Sequence, residues 1–222
     1  MGQLRLVRHG QASLGAANYD QLSPLGQRQS ERLGAHWRSL GLQFDAVLCG
    51  TLQRHAQTLA GICEGLQTSL TPLVWEGLNE YDAEAVIDAI HPAPRPKPDT
   101  PEAYRQHFRL LRDGLRQWMA GVVSPRGMGT WDAFVQGVTS ALDHVRQHSD
   151  GRVLAVSSGG PIATAVGHTL GLSPEACIEL NLRMRNTSVS EFSFNRKRHS
   201  VVSFNTLPHL AEPPFSDWQT YA

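Results

Sequence analysis

Arg8-His9-Gly10 follows directly on the apolar-rich run Leu4-Arg5-Leu6-Val7. A guanidinium fork suits a pair of phosphate oxygens, and an imidazole can attack phosphorus and carry the phosphoryl group itself. Taken alone, the triplet also fits a surface histidine after a strand, so its companions decide the reading. Arg54 lies in Gly50-Thr51-Leu52-Gln53-Arg54-His55-Ala56-Gln57-Thr58, in the first turn of a helical pattern. Free N–H groups and the helix dipole already draw anions to such a place. Glu80, in Leu78-Asn79-Glu80-Tyr81-Asp82, adds a carboxyl, and Ser158-Gly159-Gly160 adds a hydroxyl at another helix entry. Two cations, an imidazole, a carboxyl and a hydroxyl form a set suited to phosphoryl chemistry.

The elements that must position these groups follow from periodicity and punctuation. Residues 4–7 read as a strand. Ser23-Pro24, a cap with proline at the first helical position, opens a helix with Leu25, Leu33, Trp37 and Leu40 on one face, ending at Gly41. Residues 44–49 read as a buried strand, the segment from Leu52 to Cys63 as a helix, and residues 70–75 as a third strand. Residues 102–120 and 130–148 are helical patterns, 152–157 a strand, 159–171 a helix, and 187–194 and 200–206 two β-like runs. The proline-rich residues 91–98 suit an exposed loop. This alternation predicts an α/β three-layer sandwich, a mostly parallel central sheet with helices on both faces, in a single domain spanning 1–222. Ligands of such sheets bind at the carboxyl ends of strands, where all five groups fall.

Composition narrows the functional classes. The chain has 222 residues, 41% hydrophobic, with 20 basic against 20 acidic side chains. That balance speaks against a nucleic-acid partner or a membrane surface. Cys49, Cys63 and Cys177 are few, odd in number and set among apolar residues, which suits free thiols in a reducing compartment. No Cys/His spacing suggests a metal, and no signal-peptide pattern, myristoylation site or membrane-length apolar run is visible. The chain reads as soluble and cytoplasmic.

These motifs, in this order from Leu4 to about Val202, resemble the histidine phosphatase superfamily, the phosphoglycerate-mutase-like proteins. Arg8-His9-Gly10 is similar to the family's signature triplet, Leu22-Ser23-Pro24-Leu25-Gly26 to its next helix entry, and Arg54 with Gln57-Thr58 to its second phosphate-binding arginine and the helix around it. The resemblance implies a phosphohistidine on His9, Arg8 and Arg54 as phosphate ligands, and Glu80 as proton donor to the leaving group. It implies a small phosphate monoester as substrate, hydrolysed without metal or cofactor, and a helical and loop cap over about residues 83–148. Gln11 and Asn18, on the loop after the triplet, are candidate substrate contacts. A mutase reading is disfavoured, because Glu84-Ala85-Val86-Ile87-Asp88 is short of cations for a substrate carboxylate.

One position departs from the family pattern. Ser158 stands where the family carries a second histidine, which would donate to the phosphoryl oxygens. Serine keeps a short donor and so remains a candidate phosphate ligand, and it also suits a helix N-cap. Losing one transition-state donor costs about 10²–10³ in rate. The alternative is therefore a catalytically weakened protein that binds a phosphate ligand or regulates. The other histidines, His55 among them, read as surface or core residues on helices. Arg183 and Arg185 flank Met184 and are further candidates for an anionic substrate.

Overall fold

Leu4 and Leu6 point to one side of the first strand and Val7 to the other, so β1 (Gly2–Arg8) is buried on both faces. The computed structural model describes residues 1–13, 20–95 and 99–221. The strands that join β1 are β2 (Ala46–Cys49), β3 (Leu73–Val74), β4 (Arg152–Ser157), β5 (Val189–Phe194) and β6 (His199–Thr206). They form one sheet in the order β3-β2-β4-β1-β5-β6. The β1–β4, β4–β2 and β2–β3 pairs are parallel, while β5 and β6 run antiparallel on the other side. The expected α/β sandwich with a mostly parallel sheet is therefore the fold.

The helices are α1 (Pro24–Ser39), α2 (Gln53–Leu66), α3 (Ala83–Asp88), α4 (Pro101–Met119), α5 (Trp131–His148), α6 (Gly159–Leu170) and α7 (Pro174–Leu182). On one face, Leu4, Leu6, Leu48, Val153 and Phe192 pack against Val138, Leu142 and Val145 of α5 and Ile162 and Val166 of α6. On the other, Val7, Val47, Leu154 and Val156 pack against Leu33 and Trp37 of α1 and Leu59 and Ile62 of α2. Each fully buried aliphatic side chain contributes roughly 1.5–3 kcal/mol. Val86, Ile87, Leu111, Leu115, Trp118 and Ile178 make a third cluster beyond the sheet, from α3, α4 and α7. Within residues 83–148, α3 and α4 belong to that outlying cluster, whereas α5 is part of the sandwich. Among the described residues, no helix is long and apolar enough to cross a membrane.

Two local expectations need correction. The run read as a strand over residues 70–75 contributes only two paired residues, because it lies at the sheet edge, where Leu73 and Val74 are exposed. The apolar stripe on α1 is incomplete, since Leu40 is exposed. Small residues let α1 and α2 approach closely instead: a Cβ on Gly34 would meet the Ile62 carbonyl at 2.1 Å, and one on Gly65 the Glu31 carbonyl at 2.0 Å. Gly10 allows a similarly close approach. Its Cβ would meet the Gly26 carbonyl of α1 at 2.4 Å, so a bare backbone lets α1 lie against the triplet.

Candidate active site

β1 is paired on both sides, and its last residue Arg8 sits opposite Ser157 of β4. The next residues, His9 and Ser158, leave the sheet side by side, with the His9 N–H donating to the Ser157 carbonyl at 2.9 Å. The His9 carbonyl accepts from the Thr187 N–H (3.2 Å) and from Asn186 Nδ2 (3.3 Å) at the entry to β5. The Gly10 N–H donates to Thr58 Oγ1 of α2 at 3.0 Å. Backbone on both sides of the imidazole is thereby fixed from three elements.

The His9 ring is fixed as well. Nδ1 lies 2.7 Å from the Gly10 carbonyl, which can only accept, so Nδ1 carries the proton. Nε2 is left with its lone pair. Burial, and after it the positive charges of Arg8, Arg54 and any charge on His55, hold His9 well below the ordinary imidazole range. The ring is therefore neutral at neutral pH, the state a nucleophile requires.

Arg8 and Arg54 are both buried. Arg8 donates to the Met184 carbonyl, and Arg54 pairs with Asp20 at 2.8 Å. Asp20 also accepts from the Gln53 N–H (2.8 Å) and, weakly, from the Arg54 N–H (3.4 Å). The anion-seeking N-terminus of α2 thus faces one of the chain's own carboxylates. The charges of both arginines act on His9 and on Glu80 alike.

Glu80 follows β3 and a short 3-10 turn (Glu76–Leu78). Both its carboxyl oxygens lie 3.1 Å from the Gly160 N–H at the start of α6. Gly160 has to be glycine for this approach, since a Cβ would lie 2.2 Å from Glu80 Oε1. Desolvation raises the Glu80 pKa, against the lowering pull of the Gly160 N–H and of Arg8 and Arg54. A carboxyl in that balance retains its proton to higher pH than an exposed glutamate.

Of the residues singled out from sequence, Arg8, His9, Arg54, Glu80 and Ser158 all reach this rim. Gln11 lies beside it, but its side-chain oxygen accepts from Ser23 Oγ (2.7 Å) and so supports the entry to α1. Asn18 lies outside the described residues. Arg183 is exposed and pairs with Glu179 at 3.1 Å, and Arg185 is engaged by Gln219 and Asn205. Ser158 occupies the N-cap position of α6, yet its hydroxyl makes no cap hydrogen bond. It lies 2.7 Å from His55 Nε2 instead. His55, read from sequence as a surface or core residue, is fully buried, and its ring centroid is 5.8 Å from that of His9. Among the described residues, no group of three or more His, Cys, Asp or Glu could hold a metal ion. Positive charge at the rim comes from the arginines.

Buried neutral imidazoles make the fold acid-sensitive. Burial brings His55 and His209 from the ordinary 6.5 to about 3. Unfolding releases them to take up protons below pH 6.5, while the folded state refuses protons down to about pH 3. Their contribution is fully present above pH 6.5 and is lost as pH falls through that window, by about 1.4 kcal/mol per pH unit for each imidazole. Urea unfolding at pH 7, 6 and 5 should show a stability that drops with increasing steepness. A flat profile over that range would contradict the assignment.

Residues 4–207 match the family model of the histidine phosphatase superfamily (branch 1). Among solved structures, the chain is similar to phosphoserine phosphatase from Entamoeba histolytica in complex with 3-phosphoglyceric acid (18% identity, TM-score 0.67, covering 95% of this chain and 100% of that one). It is similar to a mycobacterial glucosyl-3-phosphoglycerate phosphatase (20% identity, TM-score 0.64, 93% and 99% covered). Phosphoglycerate mutase from Bacillus anthracis also shares the fold (17% identity, TM-score 0.62, 94% of each chain).

Proposed function

The chain belongs to the histidine phosphatase superfamily (branch 1), and from that premise we propose that it hydrolyses a small phosphate monoester through a phosphohistidine on His9. The observation that carries this reading is geometric: His9 Nδ1 is bound to the Gly10 carbonyl, and the buried Glu80 carboxyl lies on the Gly160 N–H at the same rim. His9 is held neutral with Nε2 unprotonated, and Glu80 is held toward its protonated form. An attacking base and a proton donor are what the first half-reaction needs.

In this proposal Arg8, Arg54 and Ser158 bind the phosphoryl oxygens and align phosphorus with Nε2. The N–P bond forms as the bond to the leaving oxygen breaks, and the Glu80 proton passes to that oxygen. The resulting carboxylate then takes a proton from water, whose oxygen attacks phosphorus, releasing phosphate and restoring His9. The phosphatases among the structural neighbours support the substrate class. The segment Glu84–Asp88 lacks cations, and the neighbouring Arg95 is engaged by Glu84 and Asp88, which favours hydrolysis over a mutase that must hold a substrate carboxylate. The reading as a weakened binder rested on Ser158 alone, and Ser158 has an imidazole beside it.

The test is turnover of p-nitrophenyl phosphate in excess chelator, with alkaline denaturing quench of ³²P-labelled enzyme followed by acid treatment of the trapped label. The expected results are undiminished activity in chelator and a label that is stable in base and released in acid. A label stable to acid, or activity that vanishes on chelation, would overturn the mechanism.

A further inference from the structure

His55 is the buried group at this rim that the mechanism above does not use. It occupies the first turn of α2, beside Arg54. Its ring is accommodated only because residue 50 is glycine, where a Cβ would meet His55 Nδ1 at 2.2 Å. Nδ1 is buried and has no hydrogen-bond partner. Ser158, for its part, forgoes the cap hydrogen bond that serine usually makes at a helix N-terminus. A core position would be filled more cheaply by an apolar side chain than by an imidazole with one nitrogen left unsatisfied. All three concessions serve one contact, between His55 Nε2 and Ser158 Oγ at 2.7 Å.

We infer that His55 is a positioning residue for phosphoryl transfer: its Nε2–H donates to Ser158 Oγ and frees the hydroxyl proton to be aimed at the phosphoryl group on His9. The two residues together stand in for the missing second histidine, with the imidazole supplied from α2 rather than from the turn after β4. The tautomer follows from the surroundings. Protonation at Nδ1 would bury a donor without an acceptor, whereas protonation at Nε2 leaves only an unmet lone pair, the less costly defect. Because burial keeps the ring neutral, the pair contributes a directed donor and no charge. Positive charge in the transition state is left to Arg8 and Arg54.

This inference rests on the phosphatase reading, and a swap of the imidazole tests it. In His55→Ala, kcat/KM for p-nitrophenyl phosphate should fall about 10²–10³-fold, the usual cost of one donor to the phosphoryl oxygens. His55→Gln, which keeps an N–H near the position of Nε2, should recover most of the loss. Ser158→His alone should be impaired, since His55 already fills the adjoining space. The double variant His55→Ala/Ser158→His should regain activity, because the imidazole then stands in the position usual for the family. Circular dichroism and melting temperature report whether each variant folds.

A second measurement, calorimetric affinity for inorganic phosphate, separates the two proposals. His55→Ala and Ser158→Ala should each weaken phosphate binding, and combining them should add little, as for two members of one hydrogen bond. A parent enzyme without turnover would overturn the phosphatase reading, yet the phosphate cycle would still decide the role of His55. Wild-type kcat/KM and phosphate affinity in folded His55→Ala, or additive losses in the cycle, would overturn the inference.

Discussion

Replacing His9 with alanine is expected to lower turnover of phosphate monoesters by on the order of 10⁴-fold or more, the scale seen when a covalent nucleophile is removed. The phosphoenzyme should disappear with it. Binding of inorganic phosphate should survive, because Arg8 and Arg54 are untouched and the His9 backbone is held by Ser157, Asn186 and Thr187. Removing a buried, uncharged imidazole should leave the melting temperature close to that of the parent. Parent-like turnover in a folded variant would remove His9 from the chemistry altogether, and no adjustment at Ser158 or Glu80 could rescue the proposal.

The second large effect belongs to Glu80. Glu80→Gln should lower steady-state kcat by about 10²–10⁴-fold, the usual range for a general acid–base group. The leaving group decides how the loss is distributed. p-Nitrophenolate departs without help from a proton, so this variant should release a burst of nitrophenolate matching the enzyme concentration and then stall as phosphoenzyme. An alkyl phosphate should show no burst. In the parent, kcat/KM for an alkyl phosphate should fall at high pH as Glu80 loses its proton, at a pH above the usual carboxylate range. It should fall again at low pH as His9 gains one, below the usual imidazole range. Glu80→Gln should remove the alkaline limb. An unchanged alkaline limb in the variant would assign that titration to another group.

Residues at strand ends were legible because a parallel sheet fixes which end carries ligands. Once residues 4–7 and 152–157 are strands, His9 and Ser158 have to emerge at the same rim, and the register of β1 with β4 sets them side by side. Arg54 and Glu80 follow from the same logic. The role of His55 was not legible, since helical periodicity says only that it neighbours Arg54. Its direction depends on how α2 lies over the end of β4, which the close seam with α1 sets. A sequence signal did exist: an imidazole directly after Arg54, in the first turn of the helix that Arg54 itself enters. α7 was overlooked although Ser173-Pro174 repeats the entry of α1, with Ser173 accepting from the Ala176 N–H. The short α3, capped by Asp82, is too brief to show a period. Asp20 on Arg54 could not be foreseen either, because that contact joins a loop to a helix 34 residues away.

The family match ends at residue 207, but the support of His9 continues past it. Asn186, which grips the His9 carbonyl, is held in turn through its N–H to the Thr220 carbonyl (2.9 Å) and through Oδ1 to Thr220 Oγ1 (3.0 Å). Gln29 of α1, which accepts from the Gln11 N–H just after the triplet, donates to the Trp218 carbonyl and to Thr220 Oγ1. Through Asn186 on one path, and through Gln11 and Gln29 on the other, the chain around His9 leans on a segment beyond the family match. The unit that can be transplanted, trimmed or fused as a working module is therefore larger than the homologous one. A graft drawn at the homology boundary would carry every signature residue and leave behind the buttress that keeps the first of them in register.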